Sequence, residues 1–96
     1  MMVLITYDVN TTTVAGEKRL RKIAKLCRDY GQRVQNSVFE CLADPHQIEL
    51  LKNKLIEVMD KDKDSLRFYY LGSNWRPRIE HIGAKAGYDP EGVIIT

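Results

Sequence analysis

The chain has 96 residues, 44% hydrophobic and 29% charged, with a formal net charge of +2, which fits one globular domain and favours neither an enzyme nor a binding module. No apolar run approaches the roughly 20 residues of a membrane span, and residues 1–5 lack the basic flank and cleavage site of a signal peptide, so the chain is expected in the cytosol with no membrane partner. A domain of this size buries only about 60–65% of the surface its unfolded chain exposes, which makes self-association a natural source of further stability.

The first element is an apolar strand, Val3-Leu4-Ile5-Thr6-Tyr7-Asp8-Val9, whose continuous run predicts a central position covered on both faces. Asp8, the first acid in the chain, stands where this strand gives way to Asn10-Thr11-Thr12-Thr13. A carboxylate there is partly desolvated unless it meets a cation, either a metal ion or a structural Arg or Lys. The spacing of Leu20, Ile23, Ala24, Cys27 and Tyr30 predicts a helix over 15–30, with Gly31 as its left-handed C-terminal residue. Its remaining faces carry Lys18, Arg19, Arg21, Lys22, Lys25 and Arg28, six of the fifteen basic residues within eleven positions. Such a face is either solvated or a binder of phosphates through charge and counterion release.

Residues 31–42 are rich in strand formers but interrupted by Gln35-Asn36-Ser37, predicting one kinked strand or two short ones. Asp44-Pro45 opens a second helix with an acceptor at the N-cap, proline at the first helical position and Gln47 as a capping-box partner. Ile48, Leu51, Leu55 and Val58 form its buried stripe. A charged loop, Asp60 to Asp64, leads into a strand over 65–71, followed by a Gly72-Ser73-Asn74 turn and two short C-terminal strands, Ile79 to Ile82 and Val93 to Ile95. The pattern predicts an α+β fold, a ferredoxin-like β-α-β-β-α-β sandwich with both helices on one sheet face, formed by one domain over 1–96. A second copy docking sheet to sheet would cover the other face, and residues 79–96 would extend a partner's sheet edge.

Several sites are excluded. Asp60, Asp62 and Asp64 resemble the opening of a calcium loop, but Ser65 replaces the sixth-position Gly and Leu71 the twelfth-position Glu. His46 and His81 have no second ligand at metal spacing, and Cys27 and Cys41 lack the close spacing of a zinc or redox pair, so both are expected as reduced core residues. Ser37 lacks a nucleophile elbow, and there is no glycine-rich phosphate loop. Asp8 remains. One carboxylate per chain is too few for magnesium, whereas a two-fold dimer with Asp8 near its axis would offer two to one hydrated magnesium or manganese ion.

The strand ending in Tyr7-Asp8, the basic helix, the segment Tyr30-Gly31-Gln32-Arg33-Val34-Gln35-Asn36-Ser37-Val38-Phe39-Glu40-Cys41 and the strand Asp64-Ser65-Leu66-Arg67-Phe68-Tyr69 together resemble the small second core adaptation protein of CRISPR systems, most closely its type I-C branch. The resemblance covers nearly the whole chain. It implies a ferredoxin-like homodimer that binds duplex DNA and bridges two dimers of the CRISPR integrase during spacer acquisition. It also implies a magnesium-dependent endonuclease acting on single-stranded RNA or duplex DNA. Carried over residue by residue, the strand-end aspartate of the family matches Asp8, the aromatic before it Tyr7, the basic residue after the helix Arg33, and the Ser-Val-Phe element Ser37 and Phe39. The helix matches only in basic character, through Lys18, Arg19, Arg21, Lys22 and Lys25, so the family's arginine role falls to either Arg19 or Arg21.

Overall fold

In a computed structural model that describes residues 1–83, four strands form one sheet. The elements in order are β1 (Met2–Asp8), α1 (Val14–Tyr30), β2 (Gln32–Gln35), β3 (Val38–Leu42), α2 (Pro45–Val58) and β4 (Ser65–Gly72). The spatial order is β2-β3-β1-β4 and all neighbouring strands run antiparallel. The first strand is therefore central, and the two helices make its crossovers. This is the predicted ferredoxin-like plan.

Local chemistry sets the helix ends. Thr13 caps α1, its Oγ1 accepting from Gly16 N at 3.0 Å. Asp44 caps α2 through the full predicted box, its carboxylate accepting from Gln47 N at 2.8 Å while its own N–H donates to Gln47 Oε1 at 3.0 Å. Ile23, Ala24 and Cys27 of α1 and Ile48, Leu51 and Leu55 of α2 bury against Val3, Ile5, Tyr7, Phe39 and Cys41. Each large side chain fully removed from water here contributes about 1.5–3 kcal/mol. Burial pushes the Cys27 thiol up to about 12 and the Cys41 thiol up to about 11, so both are protonated core groups and neither is a nucleophile.

Three expectations change, and of the two alternatives for residues 31–42 the two short strands hold. Only one face of β1 is covered: Val3, Ile5 and Tyr7 are buried, while Leu4 and Thr6 are partly open and Asp8 is exposed, because both helices pack on the same side. The 31–42 segment is two strands joined by a turn at Asn36-Ser37, with an irregular register between Arg33 and Gln35. Gly31 is extended rather than left-handed, and glycine is needed for close approach: a Cβ there would strike the Glu40 carbonyl and lie 2.6 Å from Cys41 Sγ. Ile79 to Ile82 forms no strand within the chain. It follows a short 3-10 turn over Arg76–Arg78, where Pro77 fixes the backbone and Ile79 N bonds the Arg76 carbonyl at 3.3 Å. The strand expected at Val93 to Ile95 lies outside the described residues.

Candidate functional site

Alternation along β1 puts Asp8 on the uncovered face, with Ser65 as its direct cross-strand partner on β4. Its side chain makes no hydrogen bond or ion pair among the described residues, and it is exposed rather than partly desolvated as expected. The reason is positional: the covering helices lie behind the sheet, and the strand ends at this residue. No group of three His, Cys, Asp or Glu side chains able to hold a metal occurs among the described residues. One chain therefore does not complete a metal site, and Asp8 offers a ligand that needs others.

The arginine of α1 that does pair with an acid pairs with Asp64, not with Asp8. Arg19 Nε donates to Asp64 Oδ2 at 2.8 Å and its Nη2 to Oδ1 at 3.3 Å. The Asp64 side chain is fully buried, and its carboxylate also accepts from Asn10 N and Asp60 N, each at 3.0 Å. The Arg19 guanidinium and these backbone donors outweigh burial and pull the Asp64 carboxyl down to about 2. Arg19 was expected among the nucleic-acid contacts, but this pairing commits its fork inward. Sequence spacing carried the signal: Arg19 falls on the stripe of Gly16, Ile23 and Cys27, the buried side of α1. Asp64, set aside with the charged loop, is the residue that stripe was waiting for.

Tyr7, Arg33, Ser37 and Phe39 do converge, but on the opposite face from Asp8. The Tyr7 and Phe39 rings stack with centroids 6.1 Å apart, and the Arg33 guanidinium lies 5.3 Å from the Phe39 ring centroid. Tyr7 Oη donates to the Asn36 carbonyl at 3.2 Å and Tyr7 N to the Ser37 carbonyl at 3.1 Å, so the central strand grips the β2–β3 turn. Burial raises the Tyr7 phenol, with Arg33 acting in the other direction. With Phe39 fully buried and Tyr7 nearly so, these rings support the hairpin within one chain and do not present themselves to a substrate.

The other basic residues of α1 behave as a solvent face. Lys18, Arg21, Lys22, Lys25 and Arg28 are all exposed. Lys25 meets Asp29 at 3.3 Å in an exposed i,i+4 pair, worth about 0.3–0.5 kcal/mol, which leaves its charge open to competition from phosphate.

Comparison with known proteins agrees with this architecture. The family model described as CRISPR associated protein Cas2 matches residues 1–79. A CRISPR-associated endoribonuclease Cas2 of Nitratidesulfovibrio vulgaris is 62% identical over 95 residues, covering 99% of this chain and 93% of that protein. A CRISPR-associated endonuclease Cas2 of Halalkalibacterium halodurans is 57% identical, covering 99% of both. The crystal structure of Streptococcus pyogenes Cas2 at pH 6.5 superposes with a TM-score of 0.75 at 60% identity, over 86% of this chain and all of that one. A chain of a partial Cas6–RT–Cas1–Cas2 complex superposes at 0.62 with 28% identity, over 84% of this chain and 89% of that one.

Proposed function

The chain belongs to the CRISPR associated protein Cas2 family, and from that premise we propose that it works in CRISPR adaptation as a homodimer that binds duplex DNA and bridges integrase dimers, with a metal-dependent phosphodiesterase site built from two copies of Asp8. The observation that carries this reading is the placement of Asp8: exposed, unpartnered among the described residues, and at the end of the central strand on the face without helices. A second copy covering that face is the one arrangement that brings another Asp8 to it by symmetry. The pair would hold a hydrated magnesium or manganese ion, which needs few protein ligands and would supply an activated water and charge neutralisation at the leaving oxygen. The chain's own part is to hold the two carboxylates in place and present Lys18, Arg21, Lys22, Lys25 and Arg33 to the phosphates. The relatives' names as endoribonuclease and endonuclease support phosphodiester cleavage, and the relative in a Cas1–Cas2 complex supports the integrase as partner. Residues 79–96 are the proposed docking extension.

An architectural role without physiological cleavage is the second reading, and the open basic face of α1 favours it. Wild type and Asp8→Asn are incubated with duplex DNA and single-stranded RNA, with and without magnesium, and dimer mass is followed in parallel. Cleavage lost only in the variant, with the dimer intact, establishes the nuclease and its substrate. Equal cleavage in both removes Asp8 from the chemistry and leaves the DNA-bridging role. For that role, removing the charges of Lys18, Arg21, Lys22 and Lys25 is expected to weaken duplex binding and flatten its salt dependence; unchanged binding counts against it.

A further inference from the structure

Asp8 and Asp64 sit on adjacent strands at one end of the sheet, and their surroundings are opposite. Asp8 pairs in register with Ser65, the residue after Asp64, and the residue two beyond Asp8 is Asn10. Asp64 accepts from Asn10 N at 3.0 Å, and Arg19 Nη2 reaches the Asn10 carbonyl at 3.5 Å. Asp64 also holds Asp60 N, and the Asp60 carbonyl accepts from Lys63 N and Asp64 N at 3.1 and 2.8 Å, so the loop before β4 is closed on itself. Gly16 packs so tightly on Asn10 that an added Cβ would collide with the Asn10 carbonyl. The backbone just after Asp8 and the start of the neighbouring strand are thus fastened to the body of the fold, although the Asp8 side chain has no partner among the described residues.

We propose that Asp64 and Arg19 are positioning residues for Asp8: their buried bracket fixes the strand end from Asn10 on one side and Ser65 on the other, so that two Asp8 carboxylates meet a shared cation and a phosphodiester in one fixed orientation. This rests on the nuclease reading above and assigns Arg19 away from the nucleic acid. A strand end would otherwise fray, and a misplacement of about 1 Å at a reacting group costs roughly a hundredfold in rate. Besides the Arg19–Asp64 pair itself, three of the bracket's hydrogen bonds go to backbone, two of them at Asn10, two residues beyond the exposed acid.

The test uses the full-length dimer and two variants, Asp64→Asn, which keeps the shape but loses the charge, and Arg19→Lys, which leaves Asp64 its backbone donors but removes the fork. Asp44→Ala, a cap change remote from the bracket, serves as a control for destabilisation. Four quantities are read: kcat and KM for cleavage, the salt slope of duplex binding, manganese binding without nucleic acid, and hydrogen exchange at the Asn10 amide. Both variants are expected to lower kcat about tenfold to a hundredfold with KM and salt slope within about twofold, to weaken manganese binding, and to speed Asn10 exchange. Asp44→Ala is expected to leave kcat and Asn10 exchange at the wild-type value. Rapid Asn10 exchange with kcat and manganese binding unchanged overturns the proposal, as does an equal loss of kcat in Asp44→Ala. A fall in salt slope for Arg19→Lys overturns it in favour of direct phosphate contact by Arg19. If Asp64→Asn does not fold, Arg19→Lys decides by the same readouts. Wild type that neither cleaves nor binds manganese differently from Asp8→Asn overturns the nuclease reading itself and the bracket's role with it, whereas an active wild type with equally active bracket variants overturns the bracket alone.

Discussion

The two faces of the sheet are built from the same strands yet carry opposite chemistry. Behind the sheet, Val3, Ile5, Phe39 and Cys41 are fully buried beneath two helices, and even the phenol of Tyr7 has a carbonyl to donate to. In front, Leu4 faces Glu40 and Tyr69 across its two neighbours, Thr6 faces Val38 and Arg67, and Asp8 closes the row. Glu40 is half-buried there and burial alone raises its carboxyl, while Tyr69 is exposed. The helix side is covered within the chain except at the β4 edge, where Tyr70 stays exposed. The other mixes apolar side chains with two acids and a base, the composition of a surface completed by a partner rather than by water.

Substitutions on the two faces should separate these roles. Phe39→Ala, behind the sheet, is expected to cost about 3–5 kcal/mol and to release the Tyr7 and Arg33 packing with it, read by denaturant unfolding. Leu4→Glu, in front, adds a like charge beside Glu40 at the proposed dimer surface. It is expected to lower dimer mass and to abolish the rise of Tm with protein concentration that a linked dimer shows; a wild-type Tm independent of concentration would break the contrast between the faces. Asp44→Ala, which touches neither face, is expected to cost about 1 kcal/mol through the lost cap.

Acid titration sharpens the comparison at the strand end. The Asp64 carboxyl falls from an ordinary 3.8 to about 2 in the fold, so its charge adds stability that is fully present above about pH 4 and disappears as pH drops through about 2. Asp64→Asn is expected to be less stable than wild type at neutral pH but to lose less of that stability between pH 4 and 2, measured by unfolding at each pH. The smallest effect concerns the thiols: with Cys27 at about 12 and Cys41 at about 11, the native protein at pH 8 is expected to resist alkylation of both. Rapid labelling of either would place it outside the core.

How much of this was legible before the structure depends on range. Asp44, Pro45 and Gln47 lie within four residues of one another, and their box forms as the spacing implies because its chemistry is local. The central strand was also legible from its apolar run, but the run misled about the second face: Leu4 and Thr6 are the residues a partner's surface would explain, and a single chain's pattern does not distinguish burial by its own helices from burial by a second copy. The Arg19–Asp64 bracket joins residues 45 positions apart, and the charges of each looked like surface until the sheet brought β4 beside β1. Gly31 was read for its backbone freedom, whereas its role is to let α1 enter the sheet against the Glu40 carbonyl. Pro77 marks only the short 3-10 turn that precedes Ile79 to Ile82, and residues 79–82 pair with no strand among the described residues.

The position of β1 also has a consequence for how the chain acquires its shape. The strand is complete by residue 8, its first neighbour β3 begins at Val38, and its second neighbour β4 begins only at Ser65. At about 5–20 residues per second, a ribosome leaves the β4 edge of the most apolar strand bare for seconds after the strand has been made. During that interval only β2 and β3 are available to pair beside β1, and an edge left open in this way would be open to chaperones or to the wrong chain. Codon choice or pausing between residues 43 and 72 should therefore influence the yield of folded protein more than the same change before residue 30.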